Sequence, residues 1–309
     1  MSTDARTLAA GEELDLPEMG QWALVWRRFR RHRLAFVGLI VVLIFAVLSY
    51  GAPVLAPFPF EKINMNDQYA LPGYPYWLGT DELGRDIFSR LLYAGRISLT
   101  VALVSTLLSS VIGTVVGAAA AYYRGIAELV LMRFTDVMLS LPTLPLLLVF
   151  SKMLREYPTL KQTFGDNLSV LVIVVVLTVF GWMYTARLVY SSVLSLREAE
   201  FTEAARALGS SGPRIMFSHL VPNSMAPVIV YATLGFGQRV VLEATLSWLG
   251  LGVTPPIPSW GNMLSQAYGY MLRNPWLAVY PGLFIFFTVL AINFLGDALR
   301  DALDPRLKV

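Results

Sequence analysis

The 309-residue chain contains no cysteine. That excludes structural disulfides, thiolate metal sites and cysteine nucleophiles. Histidine is almost as scarce: His32 and His219 are the only two, and neither has a second ligand at metal spacing, so no metal site is expected. Charged residues make up only 15% of the chain against 56% hydrophobic ones. A mean hydropathy of +0.59 is too apolar for a soluble domain of this length and indicates a polytopic membrane protein. The formal net charge is only +3, which gives no case for nucleic acid. Gly79 and Gly84 have the spacing of a phosphate loop, but the Lys and Ser/Thr that should follow are missing. There is no nucleophile–base constellation either.

What the chain has instead is apolar runs. Crossing a hydrocarbon core takes ~20 apolar residues. Six segments qualify, near 34–56, 97–122, 130–150, 168–188, 225–250 and 276–297. Residues 1–19 form a polar tail. In 21–33 (QWALVWRRFRRHR), Trp22, Val25, Trp26 and Phe29 alternate with arginines, as in an interfacial helix on lipid headgroups. The first apolar run begins only after that cluster and is too long for a signal h-region, so it reads as a retained span. These boundaries divide the chain into a tail with an interfacial helix (1–33), a first span with a long outer loop (34–96), a core of five spans (97–299) and a terminal tail (300–309). Most Lys and Arg fall on the N-terminal side of this topology, which places both termini inside; the loop at 151–167 runs against that bias.

Several positions inside the spans stand out. Gly113-x-x-x-Gly117 followed by Ala121 favours close helix packing. Pro142 and Pro145, after Asp136, should kink the third span, which lipid tolerates only beside protein or a water-filled path. Asp136, Arg239 and Glu243 are ionisable groups at membrane depth. Arg239 and Glu243 lie one turn apart on a helix, so a mutually neutralised pair is expected over a proton relay.

A long polar interruption between spans lies at 198–222 (EAEFTEAARALGSSGPRIMFSHLVP). It reads as two short helices joined at Gly209, with Ser211, Gly212 and Pro213 starting the second and Pro222 stopping it. Phe201, Ala205 and Leu208 share a face at i, i+4 and i+7. From composition alone it is either a docking surface or an ordinary solvated loop. The outer segment 78–90 (LGTDELGRDIFSR) should begin a helix capped by Thr80 or Asp81. Asp81 with Arg85, and Asp86 with Arg90, are expected as i,i+4 pairs on its wet side.

Glu203-Ala204-Ala205, Gly209 and His219-Leu220-Val221-Pro222 resemble the EAA loop of ABC importer permeases. His219 and Val221 stand where many members carry Ile and Leu, and His is common in the peptide-permease branch. The 78–90 segment, with Gly79, Thr80, Asp81, Gly84, Arg85 and Asp86, resembles a signature of the C-type subunit of oligopeptide/dipeptide permeases. So do Gly95-Arg96-Ile97-Ser98-Leu99, the segments 136–142 and 246–252, and the C-terminal run from Gly296-Asp297 to Asp304-Pro305-Arg306. The resemblance implies an all-α, six-span type I importer fold in a bacterial inner membrane, with both termini cytoplasmic. It also implies that 198–222 is the coupling helix, with Glu203, Ala204, Ala205 and Gly209 forming a knob that sits on an ATPase. The implied complex contains a homologous B-type permease, two ATPase subunits that bind ATP and Mg, and an extracytoplasmic binding protein. This chain would carry no cofactor and catalyse nothing. The implied cargo is di- or oligopeptides; nickel chelates, glutathione or other small solutes are the alternative. An ion-coupled secondary transporter would want inverted repeats and paired intramembrane acids, and neither is evident.

Because the chain has no cysteine, single cysteines can report topology. A Ser211→Cys variant should resist an impermeant thiol reagent added to intact cells and react once the membrane is opened. Labelling from outside would overturn the topology.

Overall fold

The computed structural model describes residues 32–303; the expected interfacial helix at 21–33 falls almost wholly outside the described residues. Within them the chain is helical. The principal elements are α1 (Arg33–Tyr50), α2 (Ile87–Tyr123), α3 (Gly125–Ser140), α4 (Thr143–Arg155), α5 (Leu168–Val179) and α6 (Met183–Leu196). Then come α7 (Glu200–Ala207), α8 (Gly212–Ile215), α9 (Met225–Trp248), α10 (Trp260–Tyr268) and α11 (Trp276–Leu303). No strand occurs among the described residues, only an isolated bridge between Thr80 and Asp86. The backbone of the apolar spans is therefore paired within helices, as a hydrocarbon solvent requires.

Among the described residues, five helical stretches are long and apolar enough to cross a membrane, and the pair α3 and α4 makes a sixth if it counts as one span. That pair is bent by 94°. The cause is local. Pro142 lies at the N-cap of α4 in an extended conformation and cannot continue α3. Pro145 falls in the first turn of α4, where its missing N–H has no intrahelical partner to lose. The fourth span is interrupted as well, between Val179 and Met183, where Phe180, Gly181 and Trp182 separate α5 from α6.

The longest element is α2, with 37 residues. It starts at Ile87 rather than near 97, and at 1.5 Å per residue it runs for about 55 Å, well beyond a bilayer core of ~30 Å. Its far end packs on α6 through small residues. A Cβ on Gly113 would come within 2.6 Å of Thr185 Cβ and of the Trp182 carbonyl. One on Gly117 would collide with the Ala186 carbonyl and reach 3.0 Å from Val189 Cβ. Ala121 is fully buried in the same seam. The small-residue spacing thus does what its sequence suggests.

Both described ends share a face. The start of α1 packs on the end of α11 through Ala35, Leu295, Ala298 and Ala302, and His32 Nε2 lies 3.5 Å from Asp301. The end of α1 meets the start of α2 at Ser49 and Gly95. The end of α2 therefore returns to the first face, where Ala118 and Ala121 pack with Ala205 and Ile215 of the 198–222 loop. Much of the helix surface between the two ends is exposed and apolar, for example Phe36, Leu43 and Val47 on α1 and Leu103, Leu107 and Val111 on α2, as lipid contact requires.

Overpacking a core costs about 1–3 kcal/mol and can cost more. Gly117→Val should therefore lower the thermal midpoint of the detergent-solubilised protein by several degrees. Gly282→Val is the control, since a Cβ there meets nothing within 4 Å. Equal midpoints for the two variants would contradict the packing.

Candidate functional site

The 198–222 loop folds as two short helices joined at Gly209. Gly209 has φ +79°, the left-handed conformation that ends α7. Its N–H donates to Arg206 O, and the Ser210 N–H donates to Ala205 O at 3.1 Å. Pro213 sits in the first turn of α8, where its fixed φ suits a helix start. The inward face of α7 differs from the expected one. Thr202 and Ala205 are buried, whereas Phe201 is 40% and Leu208 86% exposed. Thr202 Oγ1 donates to Leu196 O at 2.9 Å, tying α7 to the end of α6. Ala205 is therefore part of the seam with α2 and α6 rather than of an outer knob, while Glu203, Ala204, Ala207 and Leu208 face out. Pro222 does not stop the segment. The chain continues helically through a π turn at Met216–Leu220 into Val221–Asn223, and breaks at Ser224. The wide turn accommodates the ring and missing N–H of Pro222. His219, half-buried, supplies its carbonyl to Asn223 Nδ2 at 2.7 Å.

On the opposite face, the 78–90 signature builds a buried polar clamp. The helix cap is Asp86, not Thr80 or Asp81: its Oδ2 accepts from the Ser89 N–H at 2.8 Å and from Ser89 Oγ at 2.6 Å. Thr80 Oγ1 donates to Asp67 O and accepts from the Ala70 N–H at 2.8 Å. Asp81 pairs with Arg85 at 2.7 Å, as expected, but Arg90 reaches Asp81 at 3.0 Å instead of Asp86. Both guanidinium groups also donate to Gln266 Oε1 on α10, at 3.3 and 3.2 Å. Asp81, Arg85, Asp86 and Arg90 are all buried, so the pairs do not lie on a wet side. Gly84, with φ +70°, passes so close to Asn64 that any Cβ would collide with the Asn64 carbonyl. Gly79 passes the Ala70 carbonyl in the same way. The clamp thus fixes the long outer loop and α10 to the start of α2.

The ionisable groups at membrane depth have separate partners. Asp136 pairs with Arg187 beside a cleft of about 330 Å³ that also holds Glu128 and Tyr190. Both members are over a third exposed, so the pair is worth at most ~1 kcal/mol. Arg239 and Glu243 do not pair. Glu243 is fully buried and accepts from Ser98 Oγ at 2.8 Å and Ser247 Oγ at 2.7 Å. Those hydroxyls in turn accept from the backbone N–H groups of Trp260 (3.2 Å) and Val253 (2.9 Å). One carboxyl therefore joins α2, α9 and the start of α10. Arg239 instead donates to Gly235 O and Gly181 O, both at 3.3 Å, reaching across to the break between α5 and α6. Each side chain turns elsewhere: Glu243 accepts from hydroxyls on α2 and on its own helix, and Arg239 donates to carbonyls of its own helix and of the break between α5 and α6.

A typical hydrogen bond contributes about 0.5–1.5 kcal/mol, and each buried partner left unpaired costs about 1–3 kcal/mol. Glu243→Leu should therefore destabilise the solubilised subunit strongly in a thermal melt. Adding Arg239→Leu should give no recovery, because the two have different partners. Recovery in the double variant would reinstate the pair.

Known proteins resemble this chain in sequence and fold. A family model described as the binding-protein-dependent transport system inner membrane component matches residues 113–309. A second, the N-terminal TM domain of oligopeptide transport permease C, matches 20–72. The dipeptide transport system permease protein DppC of Alkalihalophilus pseudofirmus is 38% identical over 93% of this chain and 90% of its own length. The glutathione transport system permease protein GsiD of Pectobacterium atrosepticum is 37% identical over 93% and 92%. A chain of the MetNI methionine ABC transporter in an inward-facing crystal form superposes with a TM-score of 0.55, covering 70% of this chain and 96% of that one at 23% identity. That last likeness concerns fold alone. Matched over most of its length and multi-pass by its helices, the chain belongs to the binding-protein-dependent inner-membrane permeases of ABC importers, in their oligopeptide/dipeptide branch.

Proposed function

We propose that this chain is the C-type permease subunit of a peptide importer, paired with a homologous B-type permease, driven by two ATPase subunits and supplied by an extracytoplasmic binding protein. The face carrying the 198–222 loop and both described ends is cytoplasmic, and the clamp with the long outer loop faces the binding protein. ATP and Mg act on the ATPase subunits, and this chain holds no cofactor. Glutathione, itself a short peptide, is the second cargo reading; it is favoured by the name of one relative.

The observation that supports this reading best is the build of the loop. Leu208 is 86% exposed between small residues, on a helix rooted through Thr202 and Ala205 in the α2–α6 seam. A rigid apolar tip on a short lever suits a partner cleft better than it suits water. Closing two ATPases would draw the two tips of the permease pair together and turn the helices rooted beneath them, alternating the access of the path. Asp136 and Arg187 sit near the same end and would adjust to that movement.

Fully burying a leucine contributes about 1.5–3 kcal/mol, a factor of roughly ten or more in binding. Leu208→Asp should insert normally yet cut the ATP hydrolysis stimulated by loaded binding protein by at least that factor in the purified complex. Gly209→Val should do likewise, since the left-handed region costs a residue with a Cβ about 1–2 kcal/mol. Ala205→Trp should instead fail at folding, because Ala205 is buried. Normal uptake with ATPases bound in the first two variants would make the loop a passive linker.

A further inference from the structure

Arg239 has less bonding than a buried guanidinium usually finds. The residue is 8% exposed, Nε has no partner, and each terminal nitrogen makes a single long bond of 3.3 Å to a carbonyl. It forms no ion pair with any described residue; Glu243, one turn away, is occupied by Ser98 and Ser247. A cation at the centre of a membrane helix costs at least ~2.5 kcal/mol on insertion scales and calls for a partner.

Arg239 lines a cavity of about 360 Å³ together with Gln238, Tyr184 and Tyr231. That volume is in the range of small-molecule sites. The same cavity touches both breaks in the helical backbone: Thr143 and Leu144 follow the bend between α3 and α4, and Gly181 lies in the interruption between α5 and α6. Irregular backbone at membrane depth persists where it lines a cavity, and interrupted helices frame solute sites in transporters. The polar side chains are a guanidinium with spare N–H, two phenol hydroxyls, the Thr143 hydroxyl and one amide, all able to donate. The cavity has no carboxylate of its own. That set complements a planar anion with two oxygens.

We propose that Arg239 is the subsite for the carboxylate of the passing solute, which for a peptide is its C-terminal carboxylate. This rests on the peptide reading above. Arg239 would hold that group while Gln238, Tyr184 and Tyr231 supply further hydrogen bonds. The carbonyl contacts to Gly181 and Gly235 hold the side chain until the solute arrives.

The test uses the assembled complex in proteoliposomes, fed with trialanine or trialanine amide at concentrations that saturate the binding protein with either. The wild-type complex should move the acid roughly tenfold faster than the amide, the worth of one charge-assisted contact. Arg239→Gln should bring that ratio close to one, chiefly by slowing the acid, and Arg239→Lys should keep most of it. Gln238→Glu places a competing carboxylate in the same cavity and should also lower the ratio, which keeps the idea testable if Arg239→Gln does not assemble. Equal slowing of acid and amide in Arg239→Gln, or an unchanged ratio in Gln238→Glu, would make Arg239 a structural strut and overturn the assignment alone. A wild-type complex that moves neither tripeptide overturns the peptide reading and this subsite with it.

Discussion

The close contact of α2 with α6 is what the rest of the molecule depends on. Hydrophobic burial cannot hold helices together in lipid, because the tails are as apolar as leucine; van der Waals contact between backbones has to do it. Gly113, Gly117, Ala118 and Ala121 supply that contact by leaving room for Thr185, Ala186 and Val189. The seam fixes the long helix relative to the second half of the fourth span, and both continue to the face where the 198–222 loop is anchored.

Two polar assemblies at the other end of α2 complete the frame. The clamp of Asp81, Arg85, Arg90 and Gln266 holds the outer loop, and the Glu243 network holds the start of α10. Both are buried polar assemblies whose hydrogen bonds are largely filled, so each resists displacement: removing one member strands the others away from water. A 37-residue helix gripped at one end by these networks and at the other by Ala205 and Ile215 behaves as a stiff rod. Under the proposed coupling, movement of the loop would be carried along this helix across the membrane.

Between the grips, the structure is deliberately broken. The bend at Pro142 and the interruption at Gly181 expose backbone around one cavity, and Arg239 bridges part of the gap through the Gly181 carbonyl. Stiff ends and an irregular middle suit a permease, whose path must open without its couplings giving way.

The sequence by itself determined the class: apolar runs of spanning length, the small-residue stripe, the kink at Pro142 and the hinge at Gly209 are all local, set by hydropathy, steric size and backbone freedom within a few residues. The loop motif and the outer signature carried the family for the same reason, since their spacing lies along one stretch of chain. Tertiary structure alone decided which face each short element buries and which charge meets which. Helical periodicity placed Ala205 with Phe201 and Leu208, but only packing against α2 and α6 shows that Ala205 turns inward and Leu208 outward. Spacing paired Arg239 with Glu243 and Arg90 with Asp86. The partners they found, Gly181, Ser98 and Asp81, depend on how helices distant in sequence approach one another. Trp260 and Gln266 carried no local signal for the same reason: their role exists only where α2, α9 and α10 converge.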